Sequence, residues 1–342
     1  MNEKRYPLRK KILLALATFC LAVLICEIVL WVIDYHYAPL QIEVEGTETD
    51  WRFTHSFGDD HFVYDPKLIW RPRKNHAVFN SQGFRGKELP DEKGPGEFRI
   101  FTVGDSNTLG WAEGGASWPM YLEELVTTRY ADSCVINAGV WGYSSFQGLQ
   151  RFEETLPYDP DMVLISFGAN DAHRVIRSDA EFAVSDYQSP LFETRTGQLV
   201  MAAWHRILSG GRTYTREDLV PRVSLQEYRE NLTEMIEISR QRGIQCVLLT
   251  RPYLDVPFHL PCWRDWAPDY RAATIELGRH HGVPVIDVYS YFGGKEEFFA
   301  DESHFTVEGH MLAAEFIFDE IGSLLPHTIG LETLPKLETL LP

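Results

Sequence analysis

Phe98-Arg99-Ile100-Phe101-Thr102-Val103 runs directly into Gly104-Asp105-Ser106-Asn107-Thr108. The first six residues are nearly continuous in apolar character and rich in β-branched and aromatic types, which predicts a strand covered on both faces. A serine on the loop that leaves such a strand is well placed to act as a nucleophile, but a hydroxyl is weak at its free pKa and needs a base. About 200 residues later the chain reads Asp301-Glu302-Ser303-His304. A His with an Asp three residues before it supplies that base and the carboxylate that orients it.

Further apolar runs of strand length lie at 134–138, 162–167, 245–250 and 283–288. Helical segments separate them: 119–130, 145–156, a helix opened by the capping box Ser224-Leu225-Gln226-Glu227 and closed by Gly243, then 270–281 and 306–325. In the capped helix Leu225, Tyr228, Leu232, Met235 and Ser239 form one stripe. Alternation of this kind predicts an α/β fold, a three-layer α/β/α sandwich around a five-stranded parallel sheet. Active sites in such sheets lie beyond the carboxyl ends of the strands. The segments 104–108, 138–145, 168–171 and 301–304 all fall at or after strand ends, so four polar segments are expected at one edge.

The N-terminus is of another kind. Lys4, Arg5, Arg9, Lys10 and Lys11 precede a run from Ile12 to Ile33 that is apolar apart from Thr18 and Glu27. Its 22 residues span about 33 Å as a helix, enough to cross a bilayer core. The basic side precedes the run and acidic residues follow it, which predicts residues 1–11 in the cytoplasm and the rest outside. A cleaved signal peptide competes with this reading, but the run is long for one and no small-residue cleavage site follows. Bulky Phe19 and Ile25 before Cys20 and Cys26 argue against a lipoprotein cysteine. Glu27 reads either as a partner for another helix or as a side chain snorkelling to the outer interface.

The expected organisation is therefore a tail over 1–11, an anchor over 12–33, a linker and N-terminal extension over 34–95, and an α/β domain over 96–326, with a loose tail over 327–342. Residues 172–222 form an unusually long connection, expected as a lid or substrate loop. A net charge of −17 leaves no basic stripe for nucleic acid. Among the five cysteines there is no CxxC pair, and the chain contains no HExxH or glycine-rich phosphate loop, so neither a metal nor a cofactor is expected.

Taken together, Gly104-Asp105-Ser106, Asn137-Ala138-Gly139-Val140-Trp141-Gly142, Gly168-Ala169-Asn170-Asp171 and Asp301-x-x-His304 resemble the four blocks of the SGNH hydrolase family, the GDSL-type esterases and lipases, over about residues 80–325. Asn107 stands where the family's name has Leu. The resemblance implies a flavodoxin-like fold, with Ser106 as nucleophile, His304 as base and Asp301 as its orienting carboxylate. It also implies an oxyanion hole made of the backbone N–H groups of Ser106 and Gly142 and the side-chain amide of Asn170. For Asp105 and Asp171 it implies structural roles.

Asn107, Trp111, Tyr143 and His173 lie in or beside these blocks and are candidate substrate contacts, although core packing accounts equally well for Trp111 and Tyr143 and a structural role equally well for His173. By the same resemblance the expected reaction is hydrolysis of an oxygen ester outside the cytoplasm, with acetyl esters of carbohydrate as the substrate class. Two other outcomes stay open: acyl transfer to a sugar hydroxyl with the same triad, and a non-catalytic polysaccharide-binding module.

Overall fold

In the computed structural model, residues 7–33, 35, 61–65, 67–90, 92–110, 115–183, 194–209, 216–254 and 267–326 are described. The chain starts with α1 (Leu8–Val32), a 25-residue helix whose most apolar 18-residue window has a mean hydropathy of 2.8. It is the one helix among the described residues that is long and apolar enough to cross a membrane, and none of its most apolar window is buried.

A short antiparallel pair follows, β1 (Phe62–Asp65) and β2 (Ile69–Pro72). Asp65 shapes the turn between them, since its Oδ1 accepts the N–H groups of Lys67 and Leu68, both at 2.8 Å. Phe62, Ile69, Trp70, Phe79 and Phe84 from this part of the chain are buried in the same core as the main sheet.

The main sheet begins with β3 (Phe98–Gly104), which passes through α2 (Ser106–Leu109) and α3 (Trp118–Arg129) to β4 (Ser133–Asn137). Next come α4 (Ser145–Glu153), β5 (Met162–Ser166) and a long insertion. The insertion holds β6 (Arg174–Val175), α5 (Asp179–Ala183), α6 (Arg195–Ser209) and β7 (Val220–Pro221). Strands β6 and β7 pair antiparallel and close its base. The domain finishes with α7 (Leu225–Arg242), β8 (Gln245–Leu249), α8 (Ala267–His281), β9 (Val285–Ile286), α9 (Val288–Tyr291) and α10 (Val307–Ile321).

Five strands pair in the order β4-β3-β5-β8-β9, all parallel. The expected five-stranded sheet is present, with strands continuous in apolar character because both faces are covered. Ile100, Met162, Leu164, Val247 and Leu249 face one cluster with Leu122, Val126 and Ile317. Their alternates Phe101, Val163, Ile165 and Leu248 face the other with Phe152, Tyr228 and Met235. Helices α3 and α10 therefore cover one face, and α4, α7 and α8 the other.

The capping box at Ser224 is formed, and Gly243 ends α7 at φ +72°. The last strand is shorter than its apolar run predicted. Only Val285 and Ile286 pair, because Pro284 carries no N–H and Asp287 turns to cap α9 through the N–H of Ser290. The final helix likewise ends at Ile321, four residues before the predicted Leu325.

Candidate active site

Three strand ends, those of β3, β4 and β5, and the loop that leads into α10 bring the predicted segments together. Asp105 is the N-cap of α2, and its Oδ1 accepts the N–H of Asn107 at 2.9 Å. This cap turns the chain sharply at Ser106, whose Oγ lies 2.8 Å from His304 Nε2. The opposite ring nitrogen, Nδ1, is 2.7 Å from Asp301 Oδ2, while Asp301 Oδ1 accepts the backbone N–H groups of Ser303 and His304. Burial alone would raise the Asp301 pKa. The hydrogen bond and charge of His304, with the two backbone donors, outweigh it and hold the carboxyl at about 2. The carboxylate therefore stays charged and fixes the ring with Nε2 facing the hydroxyl, the relation that general-base activation of a serine needs.

Gly142 has φ +71°, a left-handed conformation that L side chains rarely adopt. Neither its backbone N–H nor that of Ser106 has an acceptor among the described residues. The Asn170 side-chain amide donates to Tyr143 O at 3.0 Å and, in a longer contact, to Asp105 Oδ2 at 3.5 Å. An amide nitrogen carries two N–H groups, and these two contacts hold the Asn170 amide beside the nucleophile turn. Gly139 has a packing role: a Cβ there would lie 2.5 Å from the backbone N of Leu109, so only glycine lets the second block approach the nucleophile turn.

The other predicted residues divide. Asn107 is 3% exposed, and both its Nδ2 and its Oδ1 lack partners among the described residues. Leaving such a group unpaired costs about 1–3 kcal/mol. His173 is half-buried in the turn after the third block, where its carbonyl accepts the N–H of Arg222. Tyr143 is corrected by the structure. Its ring is fully buried and its hydroxyl donates to Trp70 O at 2.7 Å, so it packs in the core rather than meeting a sugar. Trp111 lies outside the described residues. Asp171 accepts the N–H groups of Ser145 and Gly168, and burial raises its pKa to about 6.

Three residues that the sequence reading passed over hold the site in shape. Arg251, at the end of β8, donates through Nε to both oxygens of Asp105 at 2.8 and 3.1 Å, and through a terminal nitrogen to Ser303 O at 2.6 Å. One buried guanidinium thus joins the nucleophile turn to the histidine loop. Asp179 and Arg222 form a fully buried ion pair at 2.7 Å, and Arg222 also donates to Gly142 O at 2.7 Å. A fork of rigid donors of this kind can orient a peptide unit. The only signal any of them carried was a charged residue beside a strand end or within a long insertion.

Residues 102–312 match the model of the GDSL-like lipase/acylhydrolase family. The chain belongs to that family and is an ester hydrolase. It is 26% identical over 228 residues to an uncharacterized lipoprotein, YqeF, of Bacillus subtilis (strain 168), covering 59% of this chain and 77% of the relative. A shorter match, 35% identical over 78 residues, is to an arylesterase of Vibrio mimicus, covering 22% of this chain and 39% of that one. Among solved structures the fold is similar to a lipase/acylhydrolase from Enterococcus faecalis, with a TM-score of 0.49 and 25% identity, covering 68% of this chain and 100% of that one.

Proposed function

We propose that the protein is a membrane-anchored serine esterase that cleaves oxygen esters through an acyl-enzyme on Ser106. The observation that carries this reading is the unbroken chain from Ser106 Oγ through His304 to Asp301, at 2.8 and 2.7 Å.

In the reaction, Ser106 Oγ attacks the ester carbonyl while His304 Nε2 takes its proton. The tetrahedral oxyanion is met by the N–H groups of Ser106 and Gly142 and by the side-chain amide of Asn170, which exchanges its long contact with Asp105 for the oxyanion; loss of one such donor typically costs about 100- to 1000-fold in rate. Collapse breaks the bond to the alcohol, which leaves with the proton from His304. Water then attacks the acyl-enzyme, with His304 again taking a proton, and Ser106 recovers it as the acid departs. Asp301 stabilises the imidazolium at each stage.

Ser106 is only 5% exposed, and the buried, unpaired amide of Asn107 is its neighbour in sequence. A short acyl group on a hydroxyl-rich alcohol, such as an acetylated carbohydrate, suits these features better than a long hydrocarbon chain. The helix α1 and a relative named as a lipoprotein support anchoring with the catalytic domain outside the cytoplasm. The test is hydrolysis of p-nitrophenyl acetate by the full chain in bilayers. Ser106→Ala is expected to abolish it and Asn170→Ala to lower kcat about 100- to 1000-fold; equal rates for wild type and Ser106→Ala would overturn a serine mechanism.

A further inference from the structure

Helix α6, within the insertion, has two working faces. Gln198 is buried, and Met201 and Ala202 pack on the core cluster beneath the sheet. On the other side Val200, Trp204 and Ile207 are 55%, 51% and 72% exposed. Positions i, i+4 and i+7 fall within about 60° of one another around a helix of 3.6 residues per turn, so the three make one apolar stripe.

The helix is fastened at its N-terminus to α1. The backbone N–H groups of Arg195 and Thr196 donate to Glu27 Oε1 and Oε2 at 2.9 and 2.7 Å, and the Arg195 guanidinium donates to Tyr35 O just past the end of α1. The two helices pack together there, and Leu30 is the buried residue of α1. Glu27 thereby joins the hydrolase domain to the apolar helix. Two N–H donors also make a carboxylate tolerable where water is scarce.

Depth along α1 fixes where this junction lies. Counting from Lys11 at 1.5 Å per residue, Glu27 is about 24 Å and Trp31 about 30 Å along the helix. A bilayer's hydrocarbon core is about 30 Å thick, and tryptophans gather at its boundaries. Trp31, which is exposed, then sits at the far boundary with Glu27 about 6 Å beneath it. Amphipathic helices that lie on membranes sit about 5–10 Å into the headgroup–acyl boundary. The N-terminus of α6 is therefore held at the depth where its exposed stripe meets lipid.

We infer that α6 lies in the membrane interface on the side away from Lys11, with Val200, Trp204 and Ile207 against the acyl chains. The hydrolase domain is then seated on the bilayer through α6, in addition to being tethered through α1. The inference rests on the anchored reading proposed above. Its partner is the lipid hydrocarbon: with a net charge of −17, the protein gains nothing from anionic headgroups.

The test uses the full chain in phosphatidylcholine vesicles whose lipids carry bromine both near the headgroup end and near the methyl end of the acyl chain, so that interfacial and mid-bilayer positions are each within reach. A fluorescent amino acid replaces, in separate samples, Ile207, Val200, Leu21 of α1, or Glu276 on α8. Emission is expected to be lost at Ile207, Val200 and Leu21 and kept at Glu276. Trp204→Asp is expected to restore most of the emission at Val200 while ester hydrolysis continues. Quenching at Leu21 without quenching at Ile207 and Val200 would overturn the seating of α6 and leave the anchor standing. Loss of quenching at Leu21 as well would overturn the anchor and the seating together. A probe at Ile207 shielded from both brominated lipid and aqueous iodide would show a second copy of the chain on this face, and would also overturn the inference.

Discussion

His310 shows how one buried side chain sets a pH limit without entering the chemistry. Its Nδ1 accepts the backbone N–H of Trp118 at 3.1 Å, so the ring is needed neutral on that side. Burial first, and then the positive neighbours Arg85, His304 and Arg251, lower its pKa to about 3. The unfolded chain, with a histidine pKa of about 6.5, takes up this proton first as pH falls. Stability from His310 is therefore complete above about pH 6.5 and is lost progressively toward pH 3, by up to about 1.4 kcal/mol per pH unit. Asp301 has the depressed-carboxylate behaviour: its contribution is present above about pH 4 and is lost as pH falls through about 2. Replacing His310→Asn, which keeps an acceptor for Trp118, is expected to flatten the fall in Tm between pH 6.5 and 4 relative to wild type. Parallel Tm curves for the two proteins would contradict the assignment.

At the scale of elements, the insertion between β5 and α7 is built into the site through its base. Strands β6 and β7 bring Asp179 and Arg222 together beneath the loop that carries Gly142, and Ser144 Oγ donates to the same Asp179 at 2.6 Å. Breaking a fully buried pair leaves an uncompensated charge and costs about 3–5 kcal/mol. Arg222→Met is therefore expected to lower Tm strongly. In the folded fraction it should lower kcat with KM little changed, because the Gly142 peptide loses the donor that orients it. The kcat loss is bounded by the about 100- to 1000-fold that removal of a whole oxyanion donor costs. A variant that lost stability but kept kcat would show that the pair supports the insertion alone. The companion double variant Asp179→Asn/Arg222→Met removes the orphaned charge and is expected to recover part of the stability without recovering kcat.

For the molecule as a whole, the junction at Glu27 joins two parts with different solvents. Replacing Glu27→Ala removes the acceptor for two N–H groups at the start of α6. Loss of such a cap costs about 0.5–2 kcal/mol, or roughly two- to thirtyfold in the local opening equilibrium. Protease cleavage within residues 195–209 of the full chain is expected to quicken by that factor, while hydrolysis of p-nitrophenyl acetate stays unchanged. Mass spectrometry of the fragments measures the first and a colorimetric assay the second. Cleavage at the wild-type rate would mean that other contacts hold α6 to α1.

The sequence by itself determined the sheet, the order of its helices and the four polar segments at its edge. Each of these rests on local physics: apolar runs of strand length, a capping box at Ser224, a left-handed glycine at 243, and an Asp and His three residues apart. Ser106 was legible because it directly follows a strand end, and His304 and Asp301 because of their spacing, whereas Gly142 and Asn170 were legible only through the resemblance of the four blocks to a known family. Only the tertiary structure decided that Tyr143 packs inward, that Arg251 joins Asp105 to Ser303, that Arg222 holds Gly142, and that Glu27 grips α6. Those pairings join residues tens to hundreds of positions apart, and no periodicity marks them. A lone arginine in a loop reads the same whether it meets water or a buried carboxylate, and only the folded chain brings its partner within reach.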